Sequence, residues 1–265
     1  LNLGILFLLL SSVQVFAQRF EISPAKMYFE LEPGQSETQQ IVIRNLANQK
    51  QTFVVSLGDW TINEEGDTEY YEAGQLDRSC AEWVTISNSF FTLQPNETYR
   101  INVTMLIPEG KLKTKWSMIY VRATNEKTST IEADKTLKMG INISSRIGVQ
   151  VYQSPASNTD YAGTIEYLRE VESPVAGRRL FNVDILNTGD KLLDCKVYLM
   201  ISNLDTGEEK TLEPYEYVLL PEISRTIDIM LPENLSPGNY SIATILDYGV
   251  EDDLQGVQMD IEITE

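Results

Sequence analysis

The side chains best suited to chemistry are scarce in this 265-residue chain. Histidine is absent, which removes histidine-activated serine or cysteine nucleophiles, histidine-ligated zinc and most acid–base catalysis near neutral pH. Two cysteines, Cys80 and Cys195, are too few for a four-thiolate metal site or a disulfide-dense scaffold. An oxidising compartment would let them bridge. Nothing in the sequence brings them together, so each is expected as a shielded thiol. The chain has 39 acidic residues, and so many always offer carboxylate pairs of the kind that hydrolyse glycosides. The acidic pieces Glu64-Glu65-Gly66-Asp67 and Glu251-Asp252-Asp253 lack the alternating oxygen ligands and closing glutamate of a calcium loop, and are expected as solvated loops. Phosphate-binding glycine loops and nucleophile motifs are missing. The sequence therefore favours a binding protein over an enzyme, with no catalytic residue, cofactor or metal expected.

The most informative segment for binding is LKMGINISSRIGVQVY at 137–152. Seven of its eight odd positions (Leu137, Met139, Ile141, Ile143, Ile147, Val149, Val151, with Ser145 the exception) are apolar, and its even positions are mostly small or polar. That is period-two patterning with one apolar face. Sixteen extended residues span roughly 50 Å, against the five or six residues of an ordinary strand. Either a bulge breaks the run at Gly140 or Gly148, or one end offers bare apolar side chains and a free edge. A free edge is an aggregation hazard unless it completes another protein's sheet.

The elements around this strand read as all-β. Pro, Gly and Asn punctuate short Val/Ile/Tyr/Thr/Phe-rich runs every eight to twelve residues, as in a β-sandwich, and no segment keeps a 3.6-residue apolar period. Runs are expected at 22–31, 39–45, 51–57, 83–86, 98–107 and 116–123, with 61–81 and 125–135 as surface loops. After 137–152 comes a Ser/Pro/Asn-rich linker, 154–160. A second series follows at 163–171, 179–187, 193–203, 209–212, 224–231, 239–247 and 254–264. The reading is two tandem immunoglobulin-like β-sandwiches, 18–153 and 161–265. Charge divides unevenly between them. Residues 18–153 carry 14 basic and 17 acidic side chains, whereas 154–265 carry 7 and 22. The whole chain is at −18, which argues against a nucleic-acid partner.

Residues 1–17 read as a secretory signal lacking its basic start. The apolar run 5–10 is too short to span a bilayer, and Val15 and Ala17 offer small residues for cleavage before Gln18. No later stretch approaches transmembrane length. The five sequons, at Asn96, Asn102, Asn142, Asn234 and Asn239, matter only in a glycosylating host.

ISPAKMYFEL (22–31), QIVIRN (40–45), LQPNETYRINV (93–103) and WSMIYVRA (116–123) resemble the PapD-like periplasmic pilus chaperones. The resemblance runs over 22–153 by pattern, and 137–152 matches the last strand of that family's first domain. It implies fimbrial biogenesis: two immunoglobulin-like domains set in an L, and a final strand that lends alternating side chains to a pilin-like subunit lacking one strand. Met139, Ile141 and Ile143 would be the donated residues. The resemblance also implies two basic residues holding the subunit's terminal carboxylate. Lys26 stands where the first is expected. Gly148 stands where the second is expected, with Arg146 two residues earlier on the same face. The expected protein is a non-catalytic, periplasmic chaperone with another envelope protein as partner. The alternative is a cell-surface module that binds envelope polymer, which the two-domain peptidoglycan-binding surface proteins of Gram-positive bacteria also resemble.

Overall fold

The computed structural model describes residues 19–110, 113–124, 146–250 and 253–264. Within them the chain forms β1 (Phe20–Ser23), β2 (Lys26–Phe29), β3 (Ser36–Asn45), β4 (Gln51–Ile62), β5 (Thr68–Glu72), β6 (Val84–Ile86), β7 (Phe90–Leu93), β8 (Thr98–Leu106), β9 (Lys115–Thr124) and β10 (Arg146–Gln153). These make one sandwich. A four-stranded sheet ordered β1-β3-β8-β6 faces a sheet ordered β2-β10-β9-β4-β5, with β7 also on β4. The second sandwich comprises β11 (Gly163–Val171), β12 (Leu180–Asn187), β13 (Leu193–Asn203), β14 (Glu209–Thr211), β15 (Tyr215–Leu219), β16 (Ser224–Met230), β17 (Gly238–Asp247) and β18 (Leu254–Ile263). Its sheets are β11-β12-β16 and β14-β13-β17-β18, with β15 on β13. The fold is all-β, as two immunoglobulin-like sandwiches.

Alternation sets most of these strands. Leu193, Cys195, Val197, Leu199 and Ile201 of β13 point into one core while the residues between them face outward. In the first sandwich Ile119 and Val121 of β9, with Val149 and Val151 of β10, fill the core beside Phe20, Phe29 and Phe53. Strand β9 is buried on both faces, because the second sandwich covers part of its outer side. That double burial is why WSMIYV lacks an exposed face.

Several expectations need correction. The run at 22–31 is two strands in different sheets, β1 on β3 and β2 on β10, with Pro24 and Ala25 between them. The expected loop at 61–81 is largely ordered. Strand β4 continues to Ile62 and turns at 63–67, where Asn63 Oδ1 accepts from the Asp67 amide at 2.8 Å and Gly66 has φ 92°. It then pairs with β5 from Ile62–Thr68 to Gly58–Glu72. TEYYE is exposed throughout, so it has no buried face to signal a strand. Strands β7 and β15 were not expected either. Cys80 and Cys195 are free, and each is buried in the core of a different sandwich, so no bridge joins the halves. Of the alternating run at 137–152, only residues from Arg146 onward are described. Ile147, Val149 and Val151 pack on the core as expected.

The two sandwiches meet across an extensive contact. Trp60, Trp116, Met118 and Tyr152 on the outer face of the β2-β10-β9-β4-β5 sheet pack with Leu220, Leu192 and Ile223 of the second sandwich. Beside them Arg78 pairs with Asp190 and, at 2.7 Å, with Glu222, which Lys113 also reaches at 2.9 Å. The segment joining the halves is tied to both. The Ser157 amide donates to Glu32 at 2.7 Å, and Asn158 Nδ2 donates to Asp190 Oδ2 at 2.9 Å. At the β4–β5 turn, the Thr226 amide donates to the Glu64 carbonyl at 2.8 Å.

Candidate functional site: the open half of an aromatic sheet face

The outer face of the β2-β10-β9-β4-β5 sheet collects residues two apart along each strand. Strand β9 contributes Trp116, Met118, Tyr120 and Arg122, and β10 contributes Tyr152, Gln150, Gly148 and Arg146 as their cross-strand partners. Strand β4 supplies Trp60, Gly58 and Ser56, and β5 supplies Tyr70 and Glu72 opposite Trp60 and Gly58. The Trp116–Tyr152 end lies under the second sandwich. The other end forms an open cavity of about 460 Å³ lined by Ser56, Tyr70, Tyr71, Glu72, Tyr120 and Arg146 among others.

Two glycines make room for large side chains on this face. At Gly58 an added Cβ would stand 2.5 Å from Cε2 of Tyr120, and at Gly148 one would stand 2.3 Å from Sδ of Met118. Their missing side chains let Tyr120 and Met118 lie flat along the sheet. The Arg146 guanidinium stacks 4.1 Å from the Tyr120 ring centroid and 5.7 Å from that of Tyr70. Such contacts stabilise by about 0.5–1 kcal/mol at exposed sites. Tyr70 meets Tyr120 edge to face at 6.1 Å and is itself 56% exposed. The buried Tyr120 hydroxyl has no hydrogen-bond partner among the described residues. Burial raises its pKa; nearby Arg146 opposes that rise, while Tyr70, Asp59 and Glu72 add to it. The Tyr71 hydroxyl donates to Glu69 at 2.8 Å, a bond that raises its pKa. This arrangement can stack a planar or ring-shaped ligand, accept from hydroxyls through Glu72, and donate to an anion. Among the described residues, no group of three or more acidic or thiol side chains could hold a metal ion.

The profile of the WxL Interacting Protein family's peptidoglycan binding domain matches residues 12–121, somewhat less than half the chain. No curated protein matches. Among solved structures, a chain of a chaperone–tip adhesin complex of CFA/I fimbriae biogenesis aligns at 15% identity, covering 92% of this chain and 98% of that one, with a TM-score of 0.49. The class 5 fimbriae chaperone CfaA aligns at 14%, over 91% and 98%, with a TM-score of 0.47. The E. coli chaperone DraB aligns at 10%, over 92% and 96%, with a TM-score of 0.45. At those values the likeness carries no functional argument. The matched stretch takes in Tyr70 and Tyr120, and ends one residue before Arg122.

Of the site residues expected from sequence, Lys26 and Arg146 are described, and the fold does not bring them together. Lys26 is exposed and pairs in register with Gln150, four residues along β10 from Arg146, or roughly 13 Å of extended chain. Arg146 sits instead on the tyrosines of the open cavity. Met139, Ile141 and Ile143 lie outside the described residues. Sequence reasoning missed Tyr70, Tyr120 and Arg122. The signal for the last two was available: the even positions of WSMIYVRA form one face of aromatic, sulfur and basic side chains, opposite odd positions that are apolar apart from Ser117.

Proposed function

We propose that the protein is a secreted, non-catalytic envelope-binding module whose N-terminal sandwich, at 18–153, holds peptidoglycan. The match of a peptidoglycan-binding family profile to residues 12–121 carries this reading. The open cavity supports it, because stacked tyrosines rimmed by Glu72, Gln75 and Arg146 suit a sugar polymer bearing hydroxyl and acyl groups. On this reading residues 1–17 are the export signal, and among the described residues no helix is long and apolar enough to cross a membrane. The test is co-sedimentation of the full chain with purified insoluble sacculi. Retention is expected, with clear weakening in Tyr70→Ala. A wild-type chain left entirely in the supernatant overturns the reading.

One observation favours a second reading, capture of a protein partner by strand addition. Strand β2 covers β10 only from Gln150 to Gln153. Among the described residues, Arg146–Val149 therefore pairs on one side only, with β9. That edge can accept a partner strand, and Met139, Ile141 and Ile143, which lie outside the described residues, are the side chains proposed to meet it. The name of the matched family points to a WxL protein as the first partner to try. Ile141→Asp with Ile143→Asp should abolish its capture without altering thermal unfolding. Unchanged capture, or unfolding of the variant, counts against this reading.

A further inference from the structure

Arg122 and Arg146 are direct cross-strand partners on β9 and β10. They project from the same outer face, and both are exposed. Like charges in directly opposite positions repel. In a chain with 39 acidic residues against 21 basic, a neighbouring carboxylate would be the ordinary remedy. Neither arginine has an ion pair among the described residues; Arg100 and Arg225 also lack one there, but their cross-strand partners are Val42 and Ile185 rather than a second arginine. The Arg146 guanidinium rests on tyrosine rings instead. Two residues before Arg122, the buried Tyr120 hydroxyl has no hydrogen-bond partner among the described residues. Arg146 and Tyr120 line the tyrosine-rich cavity and Arg122 stands beside Arg146 on the neighbouring strand, so two guanidinia without an ion pair among the described residues share one stretch of sheet face with a hydroxyl that has no hydrogen-bond partner among them. Their common complement is an oxygen anion, and the planar fork of arginine fits a carboxylate best.

We propose that Arg122, Arg146 and Tyr120 form a carboxylate subsite for an acidic saccharide, with the sugar ring against the exposed face of Tyr70. This rests on the peptidoglycan reading and narrows it: the recognised unit is a glycan ring together with a carboxylate of its attached peptide, rather than a neutral sugar alone. Binding draws the guanidinium of Arg146 from the Tyr120 ring toward the anion and gives the Tyr120 hydroxyl an acceptor. Glu72 faces the sugar hydroxyls.

The test measures binding of the full chain to soluble disaccharide–peptide fragments by calorimetry, with their carboxyl groups free or methyl-esterified. The free acid should bind, and esterification should weaken binding about tenfold, the loss of one charge-assisted hydrogen bond. Arg122→Gln with Arg146→Gln should bind acid and ester alike, at the level of the wild type with ester. Tyr120→Phe should weaken binding of the acid without lowering the thermal midpoint, because the hydroxyl it removes has no hydrogen-bond partner among the described residues. Equal wild-type affinity for acid and ester overturns the subsite, as does a peptide without sugar that binds as tightly as the complete fragment. Retention on sacculi with no sensitivity to esterification overturns the subsite but leaves the peptidoglycan reading standing. No binding to fragments or sacculi removes both.

Discussion

Burial governs the two thiols. Cys80 and Cys195 are each pushed up to about 12, chiefly by loss of water around the thiolate; the Ser117 hydroxyl at 3.3 Å only partly offsets this for Cys80. A thiol with that pKa is ionised to about one part in ten thousand at pH 8, and the thiolate is the reactive form. Iodoacetamide at pH 8 should therefore leave the native chain unmodified and add two labels in denaturant, read by intact mass. Rapid labelling of either cysteine in the native chain would contradict the burial. This outcome was half legible in the sequence. Two cysteines without a CxxC or a partner motif read as shielded thiols, but sequence could not place them in separate cores, since that depends on which strands meet. Arg146 is similar. Its face on the strand followed from period-two counting. Its stacking on Tyr120 and Tyr70 did not, because it depends on β9 lying beside β10 and β5 folding back on β4.

Strands that bury one face were the readable ones. The expected 193–203 coincides with β13 because each inward residue is apolar and each outward one tolerates water. Strand β5 escaped notice because both its faces are exposed, whereas β9 was legible as a strand although both its faces are covered over most of its length. Elements also end by repeated devices. Asn45 closes β3 and donates through Nδ2 to the carbonyls of Gln49, Leu93 and Gln94. Asn187 closes β12 in the same manner, donating to Lys191 and Leu219 at 2.7 and 3.1 Å. Both residues are fully buried. Asn187→Ala should cost about 2–3 kcal/mol by stranding those carbonyls, measured by denaturant unfolding; a loss under half a kilocalorie would show that water replaces the amide. A second element-scale prediction concerns Gly58, where β4 passes beneath Tyr120. A Cβ there meets the Tyr120 ring at 2.5 Å and the Tyr71 carbonyl at 3.1 Å, and the backbone carbonyl has little room to retreat. Gly58→Ala should destabilise by about 1–3 kcal/mol and weaken retention on sacculi by lifting Tyr120 into the cavity. Unchanged stability and retention would mean that the tyrosine swings aside freely.

For the whole molecule, the question is whether the sandwiches behave as one body. The apolar contact around Trp60, Trp116 and Leu220 is buried, while the Arg78–Asp190–Glu222–Lys113 network at its rim carries charge. Arg78 and Asp190 are largely buried, so Arg78→Ala leaves the Asp190 carboxylate desolvated without its cation and should cost about 3–5 kcal/mol. Glu222 differs, because its side chain is 57% exposed; its share is small and screened by salt. Lys113 and then Arg78 hold its carboxyl below the usual range. A carboxylate with a depressed folded pKa contributes stability that is fully present above its unfolded value, about 4.3, and is lost as pH falls through the folded value. Calorimetry should therefore show one unfolding transition whose midpoint is steady from pH 7 down to about 5 and falls slightly further below about pH 4 as Glu222 protonates. Glu222→Gln should remove that part of the acid response and shift little at pH 7, whereas Arg78→Ala should split the transition already at pH 7. A single transition at neutral pH in Arg78→Ala would mean the apolar contact alone couples the sandwiches and the charged rim is incidental.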